Sequence, residues 1–546
     1  GPVLMAGFIR GRIADESRNP LNRFFIAGYR PVIGVVLRHP WATLALALAV
    51  LAASLYPLRQ LGSEFMPPLD EGDMLYMPTT LPGLSAGKAA QLLQQTDRII
   101  AQFPEVDRVF GKIGRAETAT DPAPLEMVET TIRFKPRDQW RPGMTPEALV
   151  AELDAALKIP GLANIWVPPI RNRIDMLATG IKSPVGIKVA GPDIRTIETV
   201  ATRIEQVVRE VPGATSVLAE RLSGGRYIDV RIDRARAARY GLSIADVQSL
   251  VSGAIGGENI GETVEGLQRF PINVRYPREL RDSPEKLASL PMVTPAGAQI
   301  PLSAVADIAL SDGPPMLKSE NARLSGWVYV DIRDRDLGSF VAEAKRAVAA
   351  QVELPPGYSV AWSGQFEYLE RAAKRMRVVV PFTLAIIFVL LYLTFRNFAE
   401  PLLIMATLPF ALVGGVWLLF LLGHEVSIAS AVGFIALAGV AAEFGVVMLI
   451  YLDQAIAGRR KEGRFATLAD LHAAIVEGAV QRVRPKAMTV AVIVAGLLPI
   501  MLGSGTGSEV MQRIAAPMVG GMITAPLLSM LVLPAAYLLW FRRRLA

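Results

Sequence analysis

The sequence predicts an α-helical membrane domain of six spans joined to an α+β domain built from repeated β-α-β units. Three observations lead to this fold class. The chain of 546 residues is 51% hydrophobic and only 20% charged, whereas a soluble protein carries about 25% charged residues. The apolar residues are concentrated in six long runs. Between the first two runs, residues 59–376 have the composition of a soluble protein, and strand-like and helical segments alternate there.

Each of the six runs approaches the length of a membrane span, since a helix of about 20 apolar residues crosses the bilayer core. The runs are 41–58, 378–395, 401–423, 427–452, 487–502 and 514–541. Buried core helices of a large soluble protein are the alternative, but six runs of this length disfavour it. We therefore predict one transmembrane span over 41–58 and five spans within 377–546.

The distribution of lysine and arginine predicts the orientation of the spans, because cytoplasmic loops are enriched in both. Basic residues cluster within 453–486, before the first span, and after the last span at Arg542, Arg543 and Arg544. Six spans place all three clusters in the cytoplasm and residues 59–376 in the periplasm. Residues 1–40 are expected to be the end of a preceding span followed by an amphipathic interfacial helix over 21–37. The chain is therefore expected to be part of a longer protein.

The outer region is predicted to contain β-α-β subdomains of the ferredoxin-like kind and one insertion. The first subdomain spans 71–177, and the second combines 178–225 with 316–366. Residues 226–315 differ in character and are predicted to be an inserted domain.

Composition excludes several kinds of site. There are no cysteines, which excludes disulfides and zinc–thiolate centres. The three histidines, His39, His424 and His472, are far apart in sequence, so a histidine-based zinc site finds no support. The net charge of +7 lies beside the apolar runs, which indicates a membrane surface rather than nucleic acid. No cofactor is expected.

Two ionisable residues at the apolar runs are candidates for proton transfer. Glu443 lies deep in the run 427–452, where a carboxylate is costly to bury unless it is paired or protonated. A hydrogen bond that packs one helix against another is the alternative for this residue. Lys486 begins the next span, and its alternative is a side chain that extends to the inner membrane surface.

Three methionines of the outer region stand among charged residues, which is unusual for side chains that only fill a core. They are Met77, Met127 and Met176. A thioether is a soft ligand that prefers Cu(I) and, by the same softness, Ag(I). Each methionine taken alone is more often a packing residue, and their spacing in the sequence does not bring the three together.

The motifs around these residues resemble those of heavy-metal efflux pumps of the RND superfamily, of the copper/silver type, over essentially the whole chain. The motifs are Glu71-Gly-Asp-Met-Leu-Tyr-Met77-Pro, Ala116-Glu-Thr-Ala-Thr-Asp121, Leu125-Glu-Met127-Val-Glu129, Trp166-Val-Pro-Pro-Ile-Arg-Asn-Arg-Ile-Asp-Met176, Gly439-Val-Ala-Ala-Glu443-Phe-Gly and Arg484-Pro-Lys486. By this resemblance the chain is the C-terminal half of such a pump. The sequence departs from the copper/silver pattern at 256–262, Gly-Gly-Glu-Asn-Ile-Gly-Glu, where that type can carry another methionine.

The resemblance implies a transporter rather than an enzyme: a proton-driven antiporter that exports Cu(I) or Ag(I) from the inner membrane. It implies a homotrimer that works with the N-terminal half of the same pump, a periplasmic adaptor protein and an outer-membrane channel. The inserted domain would then be a docking domain. The implied site residues are Met77, Met127 and Met176 for the metal, Asp121, Glu129, Arg173 and Lys182 beside it, Met511 on the metal path, and Glu443 and Lys486 for the proton relay.

Two other functions remain open at this point. A pump of the same superfamily for zinc, cobalt or cadmium would require carboxylates or histidines at the site. The methionines disfavour that function, although Asp121 and Glu129 lie close by. A membrane assembly or translocation scaffold that transports nothing would leave Glu443 and the methionines unexplained.

Overall fold

The computed structural model of this chain describes residues 20–67, 69–80, 83–114 and 127–545, so Asp121 lies outside the described residues. The described part begins with the helices α1 (Pro20–Arg38), α2 (Pro40–Ala53) and α3 (Leu55–Gln60). Ile33 and Leu37 of α1 pack into the core of the membrane helices, whereas Phe24 and Val35 are exposed. One face of α1 therefore packs against the membrane helices.

The next part of the chain forms a four-stranded antiparallel sheet flanked by helices. Its elements are β1 (Asp73–Tyr76), β2 (Thr79–Thr80), α4 (Ala86–Ile100), β3 (Val106–Ile113), β4 (Val128–Phe134), α5 (Pro146–Ala156), β5 (Leu162–Ala163), β6 (Trp166–Val167) and α6 (Pro169–Thr179). The strand order is β3-β4-β1-β6, and β2 pairs separately with β5. Tyr76, Ile132, Leu149 and Trp166 lie in the core between this sheet and its helices.

A second, five-stranded sheet contains a long insertion between two of its strands. The elements are β7 (Val185–Gly191), α7 (Ile194–Arg209), β8 (Ala214–Ala219), β9 (Gly225–Ile232), α8 (Arg234–Arg239), α9 (Ile244–Leu250), β10 (Glu258–Glu265), β11 (Gln268–Val274), α10 (Pro284–Ala288), β12 (Pro291–Val293), β13 (Gln299–Pro301), β14 (Ala306–Gly313), β15 (Ser319–Glu320), β16 (Arg323–Ile332), α11 (Leu337–Gln351) and β17 (Ser359–Gly364). The sheet order is β15-β16-β7-β17, with β8 also paired to β16. Strands β9 and β14 pair with each other and frame the insertion.

The hairpin of β10 and β11 stands out from the insertion. Every residue of both strands is exposed. Among them are the apolar side chains of Ile260, Val264 and Phe270, and Leu267 at the hairpin tip is also exposed. The hairpin is therefore an accessible surface with apolar character.

The last part of the chain is helical. It contains α12 (Gln365–Phe395), α13 (Ala399–Leu421), α14 (Ile428–Lys461), α15 (Leu468–Gln481), α16 (Val483–Leu502) and α17 (Ser508–Leu545). In the described part of the chain, five helices are long and apolar enough to cross a membrane, and a bent pair gives up to six. The five are Pro40–Gln60, Gln365–Phe395, Ala399–Leu421, Ile428–Lys461 and Leu468–Leu502, and the pair is Ser508–Leu527 with Ser529–Arg542. A polytopic helical domain combined with sheet-rich units thus agrees with the fold class predicted from the sequence.

Glycines allow α17 to pass very close to α13. A Cβ added to Gly414 would overlap the carbonyl oxygen of Gly520, and a Cβ added to Gly520 would overlap the carbonyl oxygen of Gly414. Thr524 of α17 joins the same contact, because the Gly414 amide donates to its Oγ1 at 3.0 Å. Close backbone approach of this kind is the usual basis of helix association in membranes.

The segment 62–65 joins the membrane helices to one another at the end where they meet the sheets. It forms a parallel bridge with the loop before α14, in which the Val426 amide donates to Gly62 O at 2.9 Å and the Glu64 amide donates to Val426 O at 3.0 Å. The Glu64 carboxylate accepts from Arg513 Nε of α17 at 3.2 Å. Two separate parts of the helical domain, the loop before α14 and α17, are therefore held by one short segment.

The same segment contacts the second sheet. The Ser63 amide donates to Asp336 Oδ2 at 3.1 Å, and Asp336 is the N-cap of α11. Glu425 lies beside this contact, and burial, together with the charges of Glu64 and Asp336, raises the pKa of Glu425 to about 7. The contact between helices and sheets thus contains several carboxylates, of which Glu64 is paired with Arg513.

Replacement of Gly414 by alanine is expected to destabilise the helical domain by about 1–3 kcal/mol, because the added methyl group overlaps backbone atoms that cannot move independently. The measurement is the midpoint of thermal unfolding of the purified chain in detergent. Gly439→Ala is the matched control, since a Cβ there meets nothing within 4 Å and alanine is the better helix former. Equal midpoints for the two variants would contradict the proposed close contact.

Candidate metal site and intramembrane charged residues

The structure brings Met77, Met127 and Met176 into one apolar cluster. Met77 is fully buried in it together with Ile181 and Tyr329, and the other two methionines are partly buried and pack against them. The three thioethers, which the sequence alone could not place together, therefore share one site.

Strand pairing explains the position of two of the methionines. Tyr76 stands opposite Thr130, and Thr79 stands opposite Met127. Because side chains alternate between the faces of a strand and opposed residues share a face, this register places Met77, Met127 and Glu129 on the same side. The amide of Met77 also donates to Ile165 O at 2.9 Å, which fixes the backbone beside β6.

Helix α6 supplies the third methionine and an amide that contacts two of the sulfurs. Asn172 Nδ2 lies 2.9 Å from Met77 Sδ and 3.3 Å from Met176 Sδ, and donates to both. Asn172 and Met176 are four residues apart and so occupy one face of the helix. Asn172 is 4% exposed. Sequence analysis predicted neither α6 nor a role for Asn172. Proline at the first helical position, as in Pro168-Pro169, is a signal for a helix start that could have revealed α6.

Two further contacts fix α6. The Glu71 carboxylate accepts from the amides of Ile170 at 2.7 Å and Arg171 at 2.9 Å, so it caps the first turn of the helix and complements its dipole. At the other side, Gln365, the first residue of the membrane helix α12, accepts from Arg171 Nη2 at 2.8 Å and donates to Asp175 Oδ2 at 3.1 Å. The helix that carries Asn172 and Met176 is thus hydrogen-bonded to a membrane helix.

The predicted charged neighbours occupy different positions. Lys182 is buried, its Nζ donates to Thr79 Oγ1 and lies 5.1 Å from the centre of the Tyr329 ring. Burial lowers the pKa of Lys182 to about 8, with Lys318 acting in the same direction and Glu220 and Glu129 opposing it. Glu129 forms an ion pair with Lys112 at 2.7 Å. Arg173 is exposed on α6.

Among the residues described, no group of three or more histidine, cysteine, aspartate or glutamate side chains is arranged to hold a metal ion. The donors that the structure does gather are the three thioethers. Met511, the other methionine suggested by the sequence, lies exposed on α17 in the helical domain and outside the cluster.

The intramembrane charges are separated in this structure. Glu443 of α14 is exposed, whereas its neighbours Ala442 and Phe444 are buried. Lys486 of α16 is 1% exposed, its Nζ donates to Ser529 Oγ at 2.9 Å, and no acid of the described residues lies at ion-pair distance. Lys486 therefore does not extend to the membrane surface, and its burial with one hydrogen bond is costly.

Two further acids, which the sequence analysis did not single out, lie at the helix ends. Glu400 is buried in the first turn of α13. Asp453 of α14 is partly buried and accepts a hydrogen bond from Tyr537 Oη at 2.6 Å. Both lie one residue outside the apolar runs used to define the spans, which is why the runs did not reveal them.

These features define a helical membrane protein whose attached sheets hold a cluster of soft thioether donors. The chain belongs to the AcrB/AcrD/AcrF family, which it matches over residues 1–540. It is 59% identical over 545 residues to the cation efflux system protein CusA of Escherichia coli (strain K12), and the alignment covers 99% of this chain and 52% of CusA.

Two further comparisons extend this result. The chain is 37% identical over 550 residues to the cobalt-zinc-cadmium resistance protein CzcA of Cupriavidus metallidurans, covering 99% of this chain and 51% of CzcA. A crystal structure of a heavy metal efflux pump superposes with a TM-score of 0.85 at 32% identity, covering 96% of this chain and 52% of that one. The chain spans about half the length of these proteins. The matches confirm the resemblance to heavy-metal efflux pumps of the RND superfamily.

We expect cation binding at the thioether cluster to depend on pH, because the buried ammonium group of Lys182 lies against Tyr329 of that cluster. Because its pKa is about 8, Lys182 is mostly charged at pH 7 and mostly neutral at pH 9, so repulsion of a bound cation falls as the pH rises. The affinity of the purified chain for Ag(I) is expected to increase severalfold between pH 7 and 9. Lys182→Gln should remove this dependence. Lys188→Gln, a change in β7 at a lysine paired with Glu320, should retain the pH dependence. The same pH profile of Ag(I) affinity in both variants would contradict the assignment of this dependence to Lys182.

Proposed function

We propose that this chain is one half of a proton-driven RND pump that exports Cu(I) or Ag(I) across the cell envelope. The single observation that carries the proposal is the common site of Met77, Met127 and Met176, in which Asn172 contacts two of the three sulfurs. Soft monovalent cations prefer thioether ligands. The similarity to a protein named as a cation efflux system supports transport as the activity.

The surroundings of the sulfurs suit a soft ion of low charge. The walls of the cluster are apolar, and the buried cation Lys182 lies against its Tyr329 ring, which disfavours an ion of higher charge more strongly than a monovalent one. Asn172 is hydrogen-bonded to the sulfurs of Met77 and Met176 and so holds both side chains in place before an ion binds. The side-chain entropy that is lost on binding is therefore smaller. Glu129 and Arg173, and by resemblance Asp121, would act at the approach to the site.

A pump for cobalt, zinc or cadmium is the second candidate, because CzcA carries that name and is 37% identical to this chain. Such ions require harder donors, namely carboxylates or imidazoles. Glu129 is the acid on the face of the methionines, but it is paired with Lys112. We therefore favour Cu(I) and Ag(I), and Zn(II) competition against bound Ag(I) distinguishes the two functions.

Proton coupling is proposed to use Glu443 and Lys486. Lys486 Nζ lies 5.6 Å from the centre of the Phe444 ring, directly beside Glu443 in sequence, and Glu443 presents its carboxylate on an open face of α14. An aspartate from the N-terminal half of the pump would complete the relay on that face. Movement of the helices would reach the metal site through the bonds between Gln365 of α12 and the two α6 residues Arg171 and Asp175.

The envelope arrangement is proposed by the same argument. Residues 59–376 would lie in the periplasm, with a first subdomain at 71–177, a second at 178–225 with 316–366, and the insertion 226–315 as the docking domain. The exposed hairpin of β10 and β11 offers that domain an apolar surface for a periplasmic adaptor or an outer-membrane channel. The complete pump would be a homotrimer in the inner membrane.

The first test of the proposal is Ag(I) binding by the purified chain in detergent. Simultaneous Met→Ile changes at positions 77, 127 and 176 keep the apolar bulk and remove the ligands. Binding of Ag(I) should therefore become weaker by roughly 1.4 kcal/mol or more, which is a factor of about ten in affinity. Titration calorimetry measures the change. Met292→Ile is the control, because Met292 is a buried methionine of the insertion and lies outside the cluster. Unchanged affinity in the triple variant would refute the site.

The second test concerns transport. The chain alone is expected to bind Ag(I) without exporting it, and co-expression with the N-terminal half is expected to restore efflux driven by an imposed pH gradient in membrane vesicles. Glu443→Gln should abolish that efflux and leave Ag(I) binding intact. Glu462→Gln, at the exposed end of the same helix and paired with Arg464, should export normally. Proton-driven efflux by the chain alone would show that the relay does not need the other half.

A further inference from the structure

A cavity of about 570 Å³ lies among the ends of α12, α13, α14 and α17. Helix α12 continues directly from β17, so these helix ends are the ones farthest from the sheets and from the thioether cluster. The volume is in the range of small-ligand sites. Neither the metal site nor the proposed relay uses any residue of this cavity.

Among the described residues, the charged groups that line the cavity are two carboxylates, Glu400 and Asp453, and one guanidinium, Arg460. The Arg460 guanidinium lies 5.7 Å from the centre of the Phe541 ring. Asp453 and Arg460 are seven residues apart on α14, which places them on one face with an axial separation of about 10 Å. Within the described residues, Asp453 has no basic group at ion-pair distance, and it accepts a hydrogen bond from the Tyr537 hydroxyl at 2.6 Å. The part of the cavity beside Asp453 therefore favours a cation.

Aromatic rings form much of the remaining wall. Tyr537 and Phe541 stack with their ring centres 5.7 Å apart, and Trp540 packs edge-on against both, at 5.5 Å from Tyr537 and 6.0 Å from Phe541. Carboxylates combined with aromatic faces are the usual surroundings of a bound organic ammonium group, because hydrogen bonds and cation–π attraction act together. A bare metal ion is a poor match, since no group of three suitable ligands exists among the described residues.

We propose that this cavity binds a primary ammonium group, with Asp453 and Glu400 accepting its hydrogen bonds and the α17 aromatic residues packing on its carbon chain. The ammonium group could belong to the headgroup of an ethanolamine phospholipid or to a soluble amine. The lipid has a route to the cavity, because Leu393 and Phe398 beside it are exposed apolar residues of the helical domain. Arg460 separates the two sources, since its guanidinium attracts a phosphate and repels a free amine.

The test uses the full chain in detergent and two matched pairs of probes. One pair is 2-phenylethylamine and the neutral 2-phenylethanol, measured by titration calorimetry. The other pair is a phosphatidylethanolamine and the phosphatidylglycerol with the same acyl chains, measured by native mass spectrometry. In at least one pair, the probe that carries the ammonium group is expected to bind more tightly, by about tenfold or more, than the probe that lacks it. Equal binding within both pairs would overturn the proposal on the unsubstituted chain alone.

Two variants assign the site and the source. Asp453→Asn should reduce amine binding by about tenfold or more, whereas Glu477→Gln, an exposed acid paired with Arg459 near the same helix ends, should not. Arg460→Gln should weaken phosphatidylethanolamine binding if the lipid is the ligand and strengthen 2-phenylethylamine binding if a soluble amine is. Unchanged amine affinity in a folded Asp453→Asn variant would place the ammonium site elsewhere and refute the assignment.

Discussion

The bridge between segment 62–65 and the loop before α14 is the contact on which the arrangement of helices and sheets depends. Two backbone hydrogen bonds tie it to Val426, and the ion pair of Glu64 with Arg513 adds α17. Both side chains of this pair are mostly buried, where salt screens charges weakly and one charge without its partner would be costly. Because Ser63 also binds the N-cap of α11, a displacement of these membrane helices is passed directly to the second sheet.

The thioether cluster depends on both sheets at once. Met77 and Met127 belong to the first sheet, while Ile181 and Tyr329 come from the start and middle of the second. Met176 is carried by α6, which lies between them and bonds to α12. A small relative movement of the two sheets would change the distances between the sulfurs, so the same packing that gathers the thioethers also provides a means to separate them.

The sequence was sufficient for the features that rest on local patterns. The apolar runs correspond to the long helices, and the methionine motifs marked side chains that do meet. Asn172 could not be chosen in advance, because its role comes from the approach of α6 to β1, a contact between residues far apart in the chain. The sequence also left open whether Lys486 is buried or lies at the membrane surface. Its position next to a span suits a surface residue, and only its contacts with Ser529 and Phe444 show that it is buried. Glu400 and Asp453 were missed because the apolar runs stop one residue short of them.

The ion pair between Glu64 and Arg513 has a consequence for biosynthesis. Its partners are 449 residues apart, so Glu64 is made long before Arg513 emerges with α17. Until then the segment beside Glu64 can form its backbone bonds to Val426 but lacks the ion pair with Arg513. Chain closure over such a distance is entropically unfavourable and slow. Insertion of α17 would therefore complete this junction, and truncation before Arg513 should leave a nascent chain that quality-control proteases recognise.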